Sequence, residues 1–374
     1  MIRFLKQETV LCAAFALAIV SMLFVHPDGE YISYVDFRTL AILFCLMSVM
    51  AGLQKIGVFQ SVAQAFLSRV SKAWQLVLIL VLLCFFSSML VTNDVALITF
   101  VPFTFVVLDM IGPQAKQQLV VPVVVLQTIA ANLGSMLTPI GNPQNLYLYG
   151  KAGLSLGAFV LLMLPYASAA LLVILIWGLV QSRAYHGTVQ VSFAGETGFS
   201  GDRARLVVYV ILFVLDLLTV ARVIPCAAVL GVTIAALLLA DRGIFRCVDY
   251  SLLLTFVGFF IFIGNIRRLP AFSRILQQIV SGNEILAGVA ASQVISNVPA
   301  ALLLSGFTED FPALIIGVNL GGLGTLIASM ASLISYKLIA REEAQAKKAY
   351  FRYFTAANVC FLIILLVLAF LFRG

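Results

Sequence analysis

Neutral oxygen ligands are concentrated in four short stretches of this chain. "ANLGSMLTPIGNPQN", residues 131–145, places three asparagines, two prolines and two glycines in an otherwise apolar run. "VNLGGLGTLIAS", residues 318–329, repeats its Asn, Leu, Gly, Thr and Ile at equal offsets. Thr92-Asn93-Asp94 and Ser296-Asn297 interrupt two further apolar runs, with Pro299 just past the second. Gly and Pro are poor helix formers, and Asn side chains compete for backbone hydrogen bonds. Each stretch is therefore read as a helix break. Half-helices that start at such breaks offer free N–H groups and a positive dipole end, while freed carbonyls and carboxamide oxygens suit a hard cation. One interrupted run and one break from the same half give one polar cluster. The first holds Thr92, Asn93, Asp94, Asn132, Thr138, Gly141 and Asn142; the second holds Ser296, Asn297, Asn319, Thr325, Ser329 and Ser332. These groups fit binding of a small ionic solute together with a coupling cation.

The elements that position them must be membrane helices. Of 374 residues, 62% are hydrophobic and 10% charged, where a soluble domain carries about a quarter charged. Apolar runs on the scale of a bilayer crossing lie near 10–25, 37–54, 75–91, 95–110, 118–150, 156–181, 206–222, 224–240, 248–266, 283–306, 311–336 and 350–371. The first follows Arg3 and Lys6, but the chain continues "HPDGEYISYVDF" with no small-residue cleavage site, so it reads as a retained helix. Basic cytoplasmic loops account for the net charge of +7 without a nucleic-acid partner. The six cysteines lack metal-ligand or redox spacing and read as small apolar helix residues. No cofactor is expected, and no metal beyond a sodium ion at Asn93, Asp94 and Asn297. A membrane enzyme would need a nucleophile with its base or a metal cluster, and no Ser–His, Cys–His or His–Glu arrangement lies at membrane depth.

Backbone at membrane depth is left unpaired only where it is buried in protein or lines a cavity. Residues 118–150 contain too little polar sequence for two crossings and a loop, so their break reads as one broken helix. The chain also looks duplicated. "YVDFRTLAILFCLMSVMAG" from residue 34 has the pattern of "CVDYSLLLTFVGFFIFIG" from residue 247, aligning Asp36 with Asp249, and "TNDVA" at 92–96 matches "SNVPA" at 296–300. Residues 1–181 form a first repeat with a hairpin at 75–110 and a broken helix at 118–150. Residues 182–223 are a cytoplasmic linker and connecting helix, and 224–374 a second repeat with a hairpin at 283–306 and a broken helix at 311–336. With a cytoplasmic N-terminus and a re-entrant first hairpin, most of the 23 Lys and Arg fall inside. Arg38, Lys151, Arg222, Arg267, Arg268, Arg274 and Arg373 then lie outside. Asp36 falls outside and Asp249 inside, so the repeats are inverted. The expected class is an all-α polytopic protein of the inner (plasma) membrane, built from inverted repeats with two re-entrant hairpins and two broken helices.

The Asn-tipped hairpins, the "NLG…LTPIGNPQN" and "NLGG…TLIAS" breaks and the Asp-aromatic helix starts resemble the ion transporter superfamily. That group includes arsenite pumps, citrate–metal and divalent-anion/sodium symporters, and some sodium/proton antiporters. The resemblance covers nearly the whole chain. It implies an elevator-type, divalent-anion symporter-like fold and a homodimer, each protomer having a scaffold part and a mobile part that holds the hairpins and broken helices. It also implies that Asn93 and Asn297 are tip asparagines that help coordinate the coupling cation, with Asn132, Thr138, Asn142, Asn319 and Thr325 at the unwound turns. The divalent-anion symporters carry Ser-Asn-Thr at both tips; this chain has Thr-Asn-Asp and Ser-Asn-Val, and its Asn-Asp is closer to the arsenite pumps.

The expected function is secondary active transport of a small ion or an anionic or oxyanion solute, coupled to sodium or protons, with a passive channel as the alternative. No Lys or Arg lies between residues 75 and 115 or between 275 and 336, which favours a neutral, monovalent or cation-complexed substrate. Asp94 is the expected coupling carboxylate, since a charge at mid-membrane costs about 2.5–3.5 kcal/mol on insertion scales and usually faces a cavity. Its other reading is a cap for the returning arm. Asp216 is expected to hydrogen-bond between helices.

Overall fold

The computed structural model describes residues 8–68, 70–183, 185, 187, 189 and 202–373, and all regular structure among them is helical. In the first half, besides a single turn at Tyr31–Tyr34, these are α1 (Thr9–Met22), α2 (Phe37–Lys55), α3 (Val58–Leu67), α4 (Ala73–Ser87), α5 (Asn93–Ile111), α6 (Pro113–Ser135), α7 (Pro143–Ala152) and α8 (Leu156–Ser182). There follow α9 (Arg203–Val220), α10 (Cys226–Ala240), α11 (Tyr250–Arg267), α12 (Pro270–Val280), α13 (Glu284–Ile295), α14 (Asn297–Leu304), α15 (Phe311–Leu320), α16 (Met330–Glu342) and α17 (Lys347–Arg373). Among the described residues six helical spans are long and apolar enough to cross a bilayer: α2, α5, α6, α8, α11 and the segment Ala344–Phe372, which covers all of α17 but its last residue. The chain is thus a polytopic, all-helical membrane protein. The 12 residues of α13 and 10 of α15 reach only about 15–18 Å at 1.5 Å per residue, short of the hydrocarbon thickness.

Sequence and structure differ at three places. The helix expected over 118–150 starts earlier, at Pro113, because Gly112 (φ 125°) turns the chain and proline suits the first helical position. Two short helices, α3 and α12, were not expected, since neither has an apolar run long enough for a crossing. On α12, Phe272, Ile275 and Ile279 form an exposed apolar face, with Arg274 and Gln277 elsewhere around the helix. The residues of the expected 182–205 linker from 190 to 201 lie outside the described residues.

At the centre is α6, 83% of whose apolar span is buried, against 33% for α8 and for the α17 segment at the periphery. The fully buried Gln127 of α6 ties down both helices that flank it: Thr104 Oγ1 of α5 donates to Gln127 Oε1 (3.1 Å), and Gln127 Nε2 donates to Leu80 O of α4 (3.2 Å). The halves pack reciprocally, α5 against α16 and α14 against α7. Two helix starts have the same geometry. Asp36 (φ −81°, ψ 83°) caps α2 through Thr39 N, and Asp249 (φ −78°, ψ 82°) caps α11 through Leu252 N, each at 3.0 Å.

Ion pairs tie helix ends together. Lys116 bridges Asp109 (2.7 Å) and Glu343 (2.6 Å). Arg268 meets Asp28 at 2.6 Å. Lys55 Nζ donates to both oxygens of the buried Asp241 (2.9 and 2.8 Å), which also accepts from Tyr209 OH (3.3 Å). Burial raises the Asp241 pKa, but Lys55 and Arg205 outweigh it and hold the carboxyl below the usual range. A depressed folded pKa contributes stability that is present above the unfolded carboxyl pKa, about 3.9, and is lost as pH falls through the lower folded value. Lys55→Met should therefore lower stability at neutral pH by about 1–3 kcal/mol, the cost of losing the charge-assisted hydrogen bonds to a buried carboxylate that keeps Tyr209, Gly243 N–H and the more distant Arg205. Thermal melting from pH 7 to 3 should show the deficit shrinking in acid; a constant deficit would assign it to packing.

Candidate functional site

Two helix interruptions, related residue by residue, build the site. Thr92 and Ser296 both take left-handed φ values, 68° and 74°, with ψ of 149° and 154°. Non-glycine residues pay on the order of 1–3 kcal/mol for such a backbone and hold it only where the surroundings fix it. In both places a backbone bond does so: Asn93 N–H donates to Gly141 O (3.2 Å) and Asn297 N–H to Ala328 O (3.0 Å). A threonine clips each break to its neighbouring arm, Thr138 Oγ1 donating to Met89 O and Thr325 Oγ1 to Gln293 O (3.3 Å). Asn142 (φ −145°, ψ 143°) and Ser329 (φ −144°, ψ 140°) precede the second half-helices α7 and α16 in the same conformation.

Two glycines allow the breaks to approach the arms. A Cβ on Gly134 would strike the Phe85 carbonyl, and one on Gly321 would lie 2.6 Å from Ser292 Oγ. The Gly321 Cβ would also meet Ser292 Cβ at 2.8 Å and the Gly317 carbonyl at 2.9 Å, whereas the Gly134 Cβ would overlap backbone more deeply, the harder clash to relieve. We expect Gly134→Ala to cost about 1–3 kcal/mol, as overpacking does, and Gly321→Ala less. Thermal melting of the two purified variants checks the order.

The side chains of the two breaks meet. Asn132 Oδ1 accepts from Asn93 Nδ2 (3.0 Å) and from Ser329 Oγ of the other half (2.9 Å). Asn319 Nδ2 donates to Asn145 Oδ1 (2.6 Å), again across halves. Asn142 Nδ2 donates to Ser135 Oγ (2.7 Å). Eleven buried side-chain polar atoms among the described residues have no hydrogen-bond partner. Six of them belong to this cluster: Asp94 Oδ1, Asn132 Nδ2, Asn142 Oδ1, Gln144 Nε2, Asn319 Oδ1 and Ser332 Oγ. Each unsatisfied buried group costs about 1–3 kcal/mol, and their concentration here makes this cluster the candidate site.

Each residue expected from the sequence has a definite position. Asn93, Asn132, Asn142, Asn297, Asn319 and Ser329 are buried at the breaks; Gly141 and Ala328 supply the matching carbonyls. Thr138 and Thr325 spend their hydroxyls on the clips, and Thr325 is exposed at the rim. Asp94 is not the cap of α5: Thr92 precedes the helix, and the Asp94 N–H donates to Asn93 Oδ1 (2.9 Å) while its own Oδ1 has no partner. Arg222 is held at Tyr149 O (3.3 Å) and Arg38 at Thr219 O (3.5 Å). Asp216 is 1% exposed and its Oδ2 makes no hydrogen bond, contrary to the interhelical bond expected of it. Sequence reading missed Ser135, Gln144, Asn145 and Gln293. Three lie inside the quoted 131–145 motif; Gln293 is a lone carboxamide in the apolar arm "EILAGVAASQVI".

The family model described as citrate transporter, CitMHS, matches residues 5–310. The chain belongs to the CitMHS citrate transporter family. The inner membrane protein YbiR of Escherichia coli is 32% identical to it over 314 residues, 81% of this chain and 80% of YbiR. The uncharacterized transporter MJ0456 of Methanocaldococcus jannaschii is 30% identical over 311 residues, covering 83% of each chain. The uncharacterized transporter Rv2685 of Mycobacterium tuberculosis is 26% identical over 353 residues, 83% of this chain and 81% of Rv2685. This CitMHS member is accordingly a membrane transporter and not an enzyme. The matched span contains the first break and both tips; the second break, at 321–329, lies beyond it.

Proposed function

We propose that this chain is a secondary active transporter of the inner membrane, made of two inverted repeats whose re-entrant hairpins and broken helices form one site for a small anionic or oxyanion solute. Coupling runs through sodium or protons at Asn93, Asp94 and Asn297. The observation that carries the reading is the junction of the two breaks through Asn132–Ser329 and Asn145–Asn319. Equal backbone geometry at Thr92 and Ser296, and the reciprocal packing of α5 on α16 and α14 on α7, support the repeat. The family description makes citrate the first solute to try. With Arg38 and Arg222 engaged elsewhere, a charge-reduced form, protonated or cation-bound, suits the carboxamides better than the free trianion. A homodimer of elevator-type protomers is part of the proposal.

Radiolabelled citrate uptake into proteoliposomes, with and without divalent cation and under imposed sodium or proton gradients, tests the function. Accumulation above equilibrium supports coupled transport; equilibration that ignores every gradient supports a channel. The orientation has its own test. A cysteine at Gly195, outside the described residues, should react with an impermeant thiol reagent only in inverted or permeabilised membranes. Reaction in intact cells would reverse the topology.

A further inference from the structure

The two breaks correspond in backbone conformation, threonine clips and close glycine contacts, and among their differences is the arm residue that each clip reaches. The Thr325 clip ends on Gln293, and the Thr138 clip on Met89. Gln293 Nε2 donates to two carbonyls of the unwound turn, Gly321 O and Leu323 O, both at 2.9 Å. Its Oε1 accepts from Thr325 N, also at 2.9 Å. The tip asparagine lies beside the same turn, since a Cβ on Gly322 would sit 3.0 Å from Asn297 Nδ2. Converging backbone carbonyls beside a carboxamide are the donor set a hard cation takes. Here a tethered –NH2 group already satisfies two of them. Met89 has no donor, and the corresponding turn of the first half is held only by longer contacts, Asn145 Nδ2 reaching Ser135 O and Thr138 O at 3.4 Å each and Leu137 N–H reaching Gly134 O at 3.2 Å, which a ligand can more easily displace.

We propose that the Gln293 carboxamide stands in for a bound cation in the second half, so that a coupling cation is taken at the first half alone. The inference rests on the reading of the breaks as ion and solute sites. It assigns Gln293 a role in ion stoichiometry, and it gives the two halves unequal parts: the first exchanges its cation, and the second keeps a permanent one. Removing the amide should expose the Gly321 and Leu323 carbonyls and create a site that takes sodium.

Radiolabelled sodium binding to purified protein in nanodiscs, with choline holding ionic strength constant, tests this on wild type, Gln293→Met and Gln293→Glu. The methionine copies Met89; the glutamate keeps an acceptor for Thr325 N but loses both donors. Each variant should bind one more sodium per protomer than wild type, whatever the wild-type number. The gain should persist when Asn93→Ala is added, because the new site lies in the other half. Wild-type sodium stoichiometry in folded Gln293→Met would overturn the proposal; should that variant not fold, the same result in Gln293→Glu would overturn it. Failure of the underlying reading looks different: Asn93→Ala would then transport normally, irrespective of what the Gln293 variants bind.

Discussion

Asp94→Asn should exchange solute across proteoliposome membranes at close to the wild-type rate and yet fail to accumulate it against a gradient. A carboxylate at the start of α5 is poorly tolerated in low dielectric unless a proton or a cation neutralises it, and either one can be the coupling species. Asparagine is neutral throughout, so it keeps the shape of the site and removes the exchangeable charge. If Asp94 served only to cap the helix, asparagine would replace it with little loss, because the two cap about equally well. The structure already speaks against capping, since Thr92 holds that position and Asp94 Oδ1 is unbonded. Gradient-driven accumulation and its dependence on pH and sodium, measured for both proteins, separate the alternatives. Wild-type accumulation with unchanged ion dependence would leave Asp94 without a coupling role.

Asn132→Ala should be the most destabilising single substitution in the cluster and should also weaken binding. It strips the acceptor from Asn93 Nδ2 and Ser329 Oγ together, one from each half. Two buried donors left without partners cost about 1–3 kcal/mol each, and 3 kcal/mol of lost site organisation corresponds to roughly 100-fold in binding. Asn132→Asp keeps an acceptor at the same place and should recover part of the activity, which a purely steric role would not allow. Asn93→Ala and Asn297→Ala should each abolish transport while expression and oligomeric state stay near normal. Comparing uptake with melting temperature across the four variants tests the ordering; near-wild-type uptake by Asn132→Ala would mean that the halves do not act as one site.

The breaks were legible because Gly, Pro and Asn have little other reason to cluster in an apolar run. The correspondence of Asn142 with Ser329 and of Thr138 with Thr325 was legible from equal offsets alone, and their backbone angles and clips match it. What could not be read was direction. Thr138 and Thr325 are the right residue types for a ligand, but their hydroxyls close the turns. Gln293 and Asn145 are carboxamides in half-buried and buried helices, and whether such a group meets a ligand or the opposite break depends on packing between elements far apart in sequence. The same holds for Arg38 and Arg222, whose long side chains could have reached the cluster and instead end on carbonyls near α9. The helices α3 and α12 escaped notice because they are amphipathic and too short to cross.

Citrate uptake by wild-type proteoliposomes, measured before and after an ionophore collapses the imposed ion gradient, tests the central claim most directly. The account predicts accumulation above the external concentration that drains once the gradient is gone. Uptake that stops at equilibrium under every sodium, proton and divalent-cation condition would contradict it for citrate. The same outcome across a panel of small carboxylates and oxyanions would contradict coupled transport of this solute class altogether.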